Sequence, residues 1–200
     1  MAAYTRGGKK SPSDMHREWL ELLQREGAFL SVPVLKSVWP TGVPALTDKD
    51  KLRVVRDAFE AFVPAWDAWH ADVLAGGANS VQQSFGTVRL ARDEWVEVVL
   101  TELAGWGARY ETSQAAGSPC AVAKVFSPDG AACCTPTGAL VQGGRVLAYV
   151  LVVDPQVEAL DKNYPSDGWS ASAIDRMACI LRGRGSACSV GVVTDGRWWA

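Results

Sequence analysis

The last twelve residues of the chain constrain its fold more than any other segment. Residues 189–194 alternate small and β-branched side chains, which favours a buried strand. Asp195-Gly196 follows at once, and an Asp-Gly pair after such a run predicts a tight hairpin turn. Trp198 and Trp199 would then begin a returning strand. Because this strand stops after one or two residues, we expect the chain to be the first part of a longer protein.

The composition is that of an ordinary globular protein. The chain is 48% hydrophobic and 21% charged, with a net charge of −2, so no global charge favours nucleic-acid binding. No run approaches the ~18 continuous apolar residues that span a bilayer, and the basic N-terminus lacks the apolar stretch of a signal peptide. We therefore expect a cytoplasmic protein of one or two domains that does not contact a membrane.

The five cysteines have no metal-binding spacing. No C-x-x-C motif occurs, and both histidines, His16 and His70, lie upstream of every cysteine. We predict no metal site and expect reduced thiols. The adjacent pair Cys133-Cys134 is expected to have one buried and one exposed member.

The first part of the chain is predicted to be helical. Residues 1–12 form a flexible lead, and a helical subdomain is expected over 13–78. Its first helix spans 13–27, and a short helix falls within 28–44.

A long helix is expected next. Asp48 caps its beginning, and it runs to about residue 63, where Pro64 breaks or restarts it. Trp66 and Trp69 follow at helical spacing, and we interpret them as core. The small residues 76–80 mark a loop at a subdomain boundary.

The second part, 88–200, is predicted to be α/β. Gly143-Gly144 separates two apolar runs as a hairpin turn. The expected elements are a helix over 91–104, strands over 121–126, 138–142 and 146–153, a helix over 172–181 and a strand over 187–194. The predicted fold class is therefore α+β, a helical subdomain followed by a helix–three strands–helix–strand domain.

This order is that of the αβββαβ core of the PD-(D/E)xK nuclease fold, which the second part resembles. The helix SASAIDRMACILRGRG and the strand and turn SVGVVTDGRWW resemble the end of the nuclease-like region of type I and type IIG restriction enzymes, with Thr194, Asp195, Gly196 and Trp198 as the diagnostic turn. MHREWLELLQREGAFLSVPVLKSVWPTGVPAL resembles the opening of large actinobacterial adenine-specific DNA methyltransferases of the Eco57I-like kind, including those of DISARM phage-defence systems. The resemblance extends from about residue 15 to residue 199.

A PD-(D/E)xK site needs two carboxylates that hold a divalent cation, and a lysine beside the attacking water. The resemblance puts Thr137 where the first carboxylate belongs, Leu151 where the second belongs and Val153 where the lysine belongs. Asp154 lies one position further, so its side chain leaves the opposite face of the strand. Glu97 and Glu102, on the preceding helix, cannot build the site alone. We therefore expect no catalytic residue and an inactive nuclease fold.

Methyltransferase chemistry has no motif in this chain. Neither a Gly-rich cofactor loop nor an Asn/Asp-Pro-Pro-Tyr/Phe segment occurs. S-adenosylmethionine is therefore expected only for a full-length parent. Arg182, Arg184 and Arg197 are the candidate phosphate contacts, although cations at a helix C-terminus are equally explained by the helix dipole.

Three functions remain open. The first is a non-catalytic, DNA-engaging or docking module of a DNA adenine-N6 methyltransferase in a restriction-modification or phage-defence system. Its partners would be DNA and the C-terminal methyltransferase region. The second is a freestanding protein-interaction module with an inactive nuclease fold. The third is a divalent-metal-dependent DNA nuclease with a shifted site that uses Asp154.

Overall fold

The computed structural model describes residues 32–40, 46–162, 168–184, 186 and 188–200, with the single residues 11, 14 and 18. The chain divides into two compact units, residues 1–47 and 48–200. In the first unit the described helix is α1, Val32–Val38, within the predicted 28–44 segment. The predicted lead and the helix over 13–27 lie outside the described residues, apart from the three single ones.

A pair of antiparallel helices opens the second unit. Helix α2 is Lys49–Ala75, and its N-cap is Asp48 as predicted, whose carboxylate accepts hydrogen bonds from the N–H groups of Asp50 and Lys51. The prediction that Pro64 breaks or restarts this helix is wrong, because α2 continues through it. Pro64 is exposed, so the backbone hydrogen bond that it removes lies on the solvent side.

Helix α3 begins much earlier than predicted. It is Ala78–Val98 and continues as a π-helical turn, Val99–Leu103. The predicted loop over 76–80 is reduced to Gly76 and Gly77, of which Gly76 ends α2 in the left-handed conformation.

Large aromatic side chains fill the interface between α2 and α3. Phe62, Trp66 and Trp69 pack with Val88 and are all at least 93% buried, which confirms the two tryptophans as core. Phe59, one turn before Phe62 on α2, is 48% exposed, with its ring 5.2 Å from that of Trp95.

The main sheet has four strands in the order β1-β4-β5-β6. The strands are β1, Tyr110–Thr112; β4, Gly138–Gln142; β5, Arg145–Val152; and β6, Gly191–Thr194. β1 pairs antiparallel with β4 and β4 with β5, whereas β5 and β6 are parallel. The strands and turn predicted from 138 to 153 are confirmed to within one residue.

The first strand of the sheet was misplaced by the sequence prediction. The segment 121–126 contributes only β2, Val125–Phe126, which pairs with β3, Cys133–Cys134, in a separate two-stranded ribbon. The edge strand of the main sheet is β1, which follows a short 3₁₀ turn, Gly107–Arg109.

Helix α4, Ala173–Arg182, connects β5 to β6 and was predicted within one residue. Ser172 caps it through a capping box with Asp175, in which each side chain bonds the other residue's backbone N–H. Its inner face packs Met177 and Ile180 against the sheet.

Strand β5 is shared by two apolar clusters. Tyr149 and Leu151 face the cluster that contains α4, whereas Val150 lies in a second cluster with Val96 and Leu100 of α3 and its π-helical turn. Both faces of β5 are thus covered by helices, as an apolar strand of alternating orientation requires. In the described residues, no helix has both the length and the apolar character needed to cross a membrane.

Candidate functional site

The three expected nuclease positions lie together where β4 begins and β5 ends. The Thr137 hydroxyl donates to the Val150 carbonyl at 3.1 Å and accepts from the Val152 N–H at 2.9 Å. Leu151 is 4% exposed in the α4 cluster, and Val153 packs against the same cluster. Thr137 therefore ties two strands together and the other two positions are core, so none of the three offers a group for chemistry.

A small cavity of about 230 Å³ lies at these positions. Residues of β3, of the end of β5 and of the start of α4 line it, with their neighbours: Cys133, Cys134, Thr135, Thr137, Leu151, Val152, Val153, Asp154, Ala173 and Arg176. Its volume is below the ~300 Å³ typical of small-molecule sites. Asp154 is the one carboxylate in this lining, whereas a hydrolytic magnesium site needs several oxygen ligands.

Asp154 forms ion pairs with two arginines of α3. Its Oδ1 lies 3.5 Å from Arg89 Nε and 3.4 Å from Arg92 Nη1. Pairing with β4 and β6 fixes the register of β5, which leaves Asp154 next to α3. In the described part of the chain, no group of three His, Cys, Asp or Glu side chains comes close enough to hold a metal ion.

Arg92 was missed by the sequence prediction. Its side chain is 5% exposed and donates to the Val153 carbonyl at 2.6 Å and, through Nε and Nη2, to Asp93 Oδ1 at 3.0 and 2.7 Å. It joins α3 to the end of β5. No sequence signal marks it, because an arginine in a helix ordinarily faces solvent.

The predicted turn after β6 is a closed hydrogen-bonded unit. The Thr194 hydroxyl donates to the Trp198 carbonyl at 2.7 Å and accepts from the Gly196 N–H at 2.9 Å. Backbone hydrogen bonds join Val193 and Ala200 in both directions, at 2.8 and 2.9 Å. The predicted turn is thereby confirmed, whereas the returning segment makes a single isolated bridge, Thr194 with Trp199, and not a strand. The strand before the turn is also shorter than the predicted 187–194, since β6 is Gly191–Thr194.

Asp195 lies fully buried inside this turn. Its Oδ1 accepts from the N–H groups of Arg197 at 3.0 Å and Trp198 at 2.7 Å, and its Oδ2 from Gln156 at 3.3 Å. Burial raises the pKa of the Asp195 carboxyl above its ordinary value, although these three hydrogen bonds act in the opposite direction.

The raised pKa gives Asp195 a definite pH dependence. The folded chain holds this proton more tightly than the unfolded chain, so the contribution to stability is fully present below the unfolded pKa and is lost as the pH rises through the folded pKa. In urea titrations, we expect the free energy of unfolding of the native chain, minus that of the Asp195→Asn variant, to fall as the pH rises above about 4, the ordinary pKa of an aspartate. Asp129→Asn is the control with the opposite sign, because a hydrogen bond from Ser127 lowers the pKa of the Asp129 carboxyl. A difference that rises for Asp195→Asn would contradict the assignment.

The three predicted phosphate contacts do not form one cluster. Arg182 ends α4 and Arg184 follows it, both exposed, in the segment that leads to the beginning of β6. Arg197 comes after the end of β6, and its guanidinium stacks 4.1 Å from the Trp66 ring centre and 5.1 Å from that of Trp198. It packs the turn on α2 by cation–π contact.

The remaining predictions concern glycines and thiols. Gly143-Gly144 forms the tip of the β4–β5 hairpin, with positive φ at both residues, and not a strand-to-helix cofactor loop. Cys133 is exposed and Cys134 buried, as predicted, and burial raises the pKa of the Cys120 thiol.

Comparison of the chain with protein-family models, with characterised proteins and with solved structures gave no match, so its function has to be argued from its own residues.

Proposed function

We propose that the chain is a non-catalytic, DNA-engaging or docking module with a degenerate PD-(D/E)xK-like core. The observation that carries the proposal is the connectivity α3-β1-β4-β5-α4-β6, with strand order β1-β4-β5-β6 and a parallel last pair. That is the order an αβββαβ core requires. Thr137, Leu151 and Val153 stand at its expected catalytic positions and supply no metal ligand or lysine.

The parent enzyme of this module is proposed to be a DNA adenine-N6 methyltransferase of a restriction-modification or phage-defence system. The support is the sequence resemblance of the helical front and of the Thr194–Trp198 turn. In that proposal the methyltransferase region binds S-adenosylmethionine and transfers the methyl group. The present residues contribute DNA engagement or docking to that region.

A protein-interaction module is the second candidate, and exposed leucines favour it. Leu74, near the end of α2, is 70% exposed, and Leu90 on α3 is 75% exposed. Side chains of this size in solvent are common singly, but they also occur at docking surfaces. A chain that folds in isolation, binds no DNA and does not associate with a methyltransferase region would favour this candidate over the first.

DNA binding and cleavage assays separate the proposals. We expect the chain to bind duplex DNA with an affinity that falls steeply between about 50 and 200 mM salt, because phosphate contacts release counterions. We expect no cleavage with Mg²⁺ or Mn²⁺, for the native chain and for Asp154→Ala alike. Cleavage that Asp154→Ala abolishes would support the shifted-site nuclease instead.

A further inference from the structure

One end of the main sheet carries a group of exposed cations. It is the end at which the parallel strands β5 and β6 begin, and three segments meet there, residues 121–128, residues 140–148 and the described residues between 181 and 191. These segments contain four cations, Lys124, Arg145, Arg182 and Arg184, and no Asp or Glu. We call these four residues the basic end.

Core contacts bring the three segments together. The Tyr149 N–H donates to the Val190 carbonyl at 3.1 Å, which joins β5 to the segment before β6. A Cβ placed on Gly183, between Arg182 and Arg184, would lie 3.2 Å from a Val125 methyl carbon, so the β2 ribbon lies against the end of α4. Further apolar side chains of all three segments, among them Val146, Leu181 and Cys188, pack on the same core.

Among the described residues, the cations at this end make no ion pair with a carboxylate. Asp129, the first carboxylate after Lys124 in the sequence, accepts hydrogen bonds from Ser127 and Ala131 instead. Arg145, Arg182 and Arg184 are exposed, and none makes an ion pair in the described part of the chain. Lys124 lies 4.9 Å from the ring centre of Phe126, a neutral partner. In residues 48–106, by contrast, ten carboxylates face six cations, a balance of −4. The second unit is therefore electrically asymmetric, and an anionic polymer is attracted to one end of it.

The chemistry of this end suits a phosphodiester backbone. Three of the four cations are arginines, whose planar guanidinium can donate two hydrogen bonds to one phosphate. Small residues lie between them, namely Gly143, Gly144, Gly183, Ser186 and Ser189, so a phosphate can approach the backbone N–H groups. Contacts of arginines and of backbone N–H groups with phosphate do not involve the base edges, so they give no sequence preference.

We propose that the basic end binds the phosphate backbone of duplex DNA without sequence preference. This inference rests on the proposed DNA engagement and names its surface. Thr137, Leu151 and Val153 lie at the opposite end of β5, where that strand finishes. DNA held at the basic end is thus separated from the position of a nuclease centre.

A matched pair of triple variants tests the proposal. Arg145→Gln, Arg182→Gln and Arg184→Gln together remove three charges from the basic end. Lys49→Gln, Arg53→Gln and Arg56→Gln remove three exposed charges from the beginning of α2. Fluorescence anisotropy with a labelled duplex measures affinity across salt concentrations, and thermal unfolding verifies that both variants fold.

We expect the basic-end variant to bind at least about tenfold more weakly at low salt, and its log–log salt slope to be shallower by roughly 2–3. The α2 variant should stay within about twofold of the native chain. Equal binding by both variants would overturn the basic end and leave DNA engagement in place. A native chain that binds no duplex would overturn both the basic end and the proposed DNA engagement, and would leave docking as the role of the module. Stronger binding to phosphatidylserine vesicles than to duplex, lost in the basic-end variant, would also overturn this assignment in favour of a lipid surface.

Discussion

Replacing Leu151 by glutamate is expected to destabilise the chain by about 3–5 kcal/mol without creating a metal site. Leu151 is 4% exposed and lies in the core with Met177 and Ile180. A carboxylate there is taken out of water, and the one carboxylate in the lining of the adjacent cavity, Asp154, is already paired with Arg89 and Arg92. Urea denaturation measures the loss of stability, and calorimetric titration with Mn²⁺ measures metal binding.

Leu147→Glu is the matched control on the same strand. Leu147 lies on the same strand, at the irregularity where β5 has one residue more than β4, and is 38% exposed, so its substitution should change the free energy of unfolding little. If Leu151→Glu is as stable as Leu147→Glu and binds Mn²⁺, burial does not prevent residue 151 from being a metal ligand.

Removing the carboxylate of Asp195 is the second large effect. Asp195→Ala leaves three backbone N–H groups, those of Gln156, Arg197 and Trp198, without an acceptor around a fully buried position. Orphaned donors of this kind cost about 2–4 kcal/mol together. Thermal and urea unfolding measure the loss. Near-ultraviolet circular dichroism should also change, because Trp198 and Trp199 follow the turn.

A second Asp-Gly turn, at Asp129, provides an exposed control for the buried Asp195. Asp129 precedes Gly130 and accepts hydrogen bonds from the Ser127 hydroxyl and the Ala131 N–H, but water reaches it. Asp129→Ala should therefore cost much less, since solvent replaces the lost acceptor. Equal losses for the two variants would show that burial does not set the importance of Asp195.

Local patterns predicted the elements whose signals are contained in a short window. The hairpin from 138 to 153 has two apolar runs around Gly143-Gly144, and α4 has a capping serine and an amphipathic face. The turn at Asp195 is of the same kind. In each case turn chemistry and periodicity agree, so no distant contact has to be known.

Distant contacts decide what the sequence could not predict. β1 is three residues long and is defined by pairing with β4, some 28 residues later along the chain, as in the pair Glu111 and Ala139. Pro64 is tolerated within α2, where packing against α3 outweighs its cost. Arg92 and Arg197 look like surface cations in the sequence, and only the fold shows one to be buried and the other stacked on Trp66.

The sequence named residues of the candidate site more successfully than it predicted how they are arranged in space. That Thr137, Leu151 and Val153 occupy nuclease positions stays a prediction, whereas their proximity follows from the local pairing of β4 with β5. The grouping of Arg182, Arg184 and Arg197 failed because sequence proximity does not reveal which end of β6 a residue occupies. Arg145, on another strand, lies at the same end of the sheet as Arg182.

Helices α2 and α3 contact the ends of strands β5 and β6, so we expect the second unit to unfold as one cooperative structure. Arg92 bonds the carbonyl after β5, the Trp95 indole donates to the Gly196 carbonyl at 2.9 Å, and Arg197 rests on Trp66. Opening the helical pair would therefore break the closure of the β6 turn at the same moment. Amide protons in α3 and in β5 should consequently exchange with solvent through the same global opening. We expect no separate opening of the helices at a lower free energy.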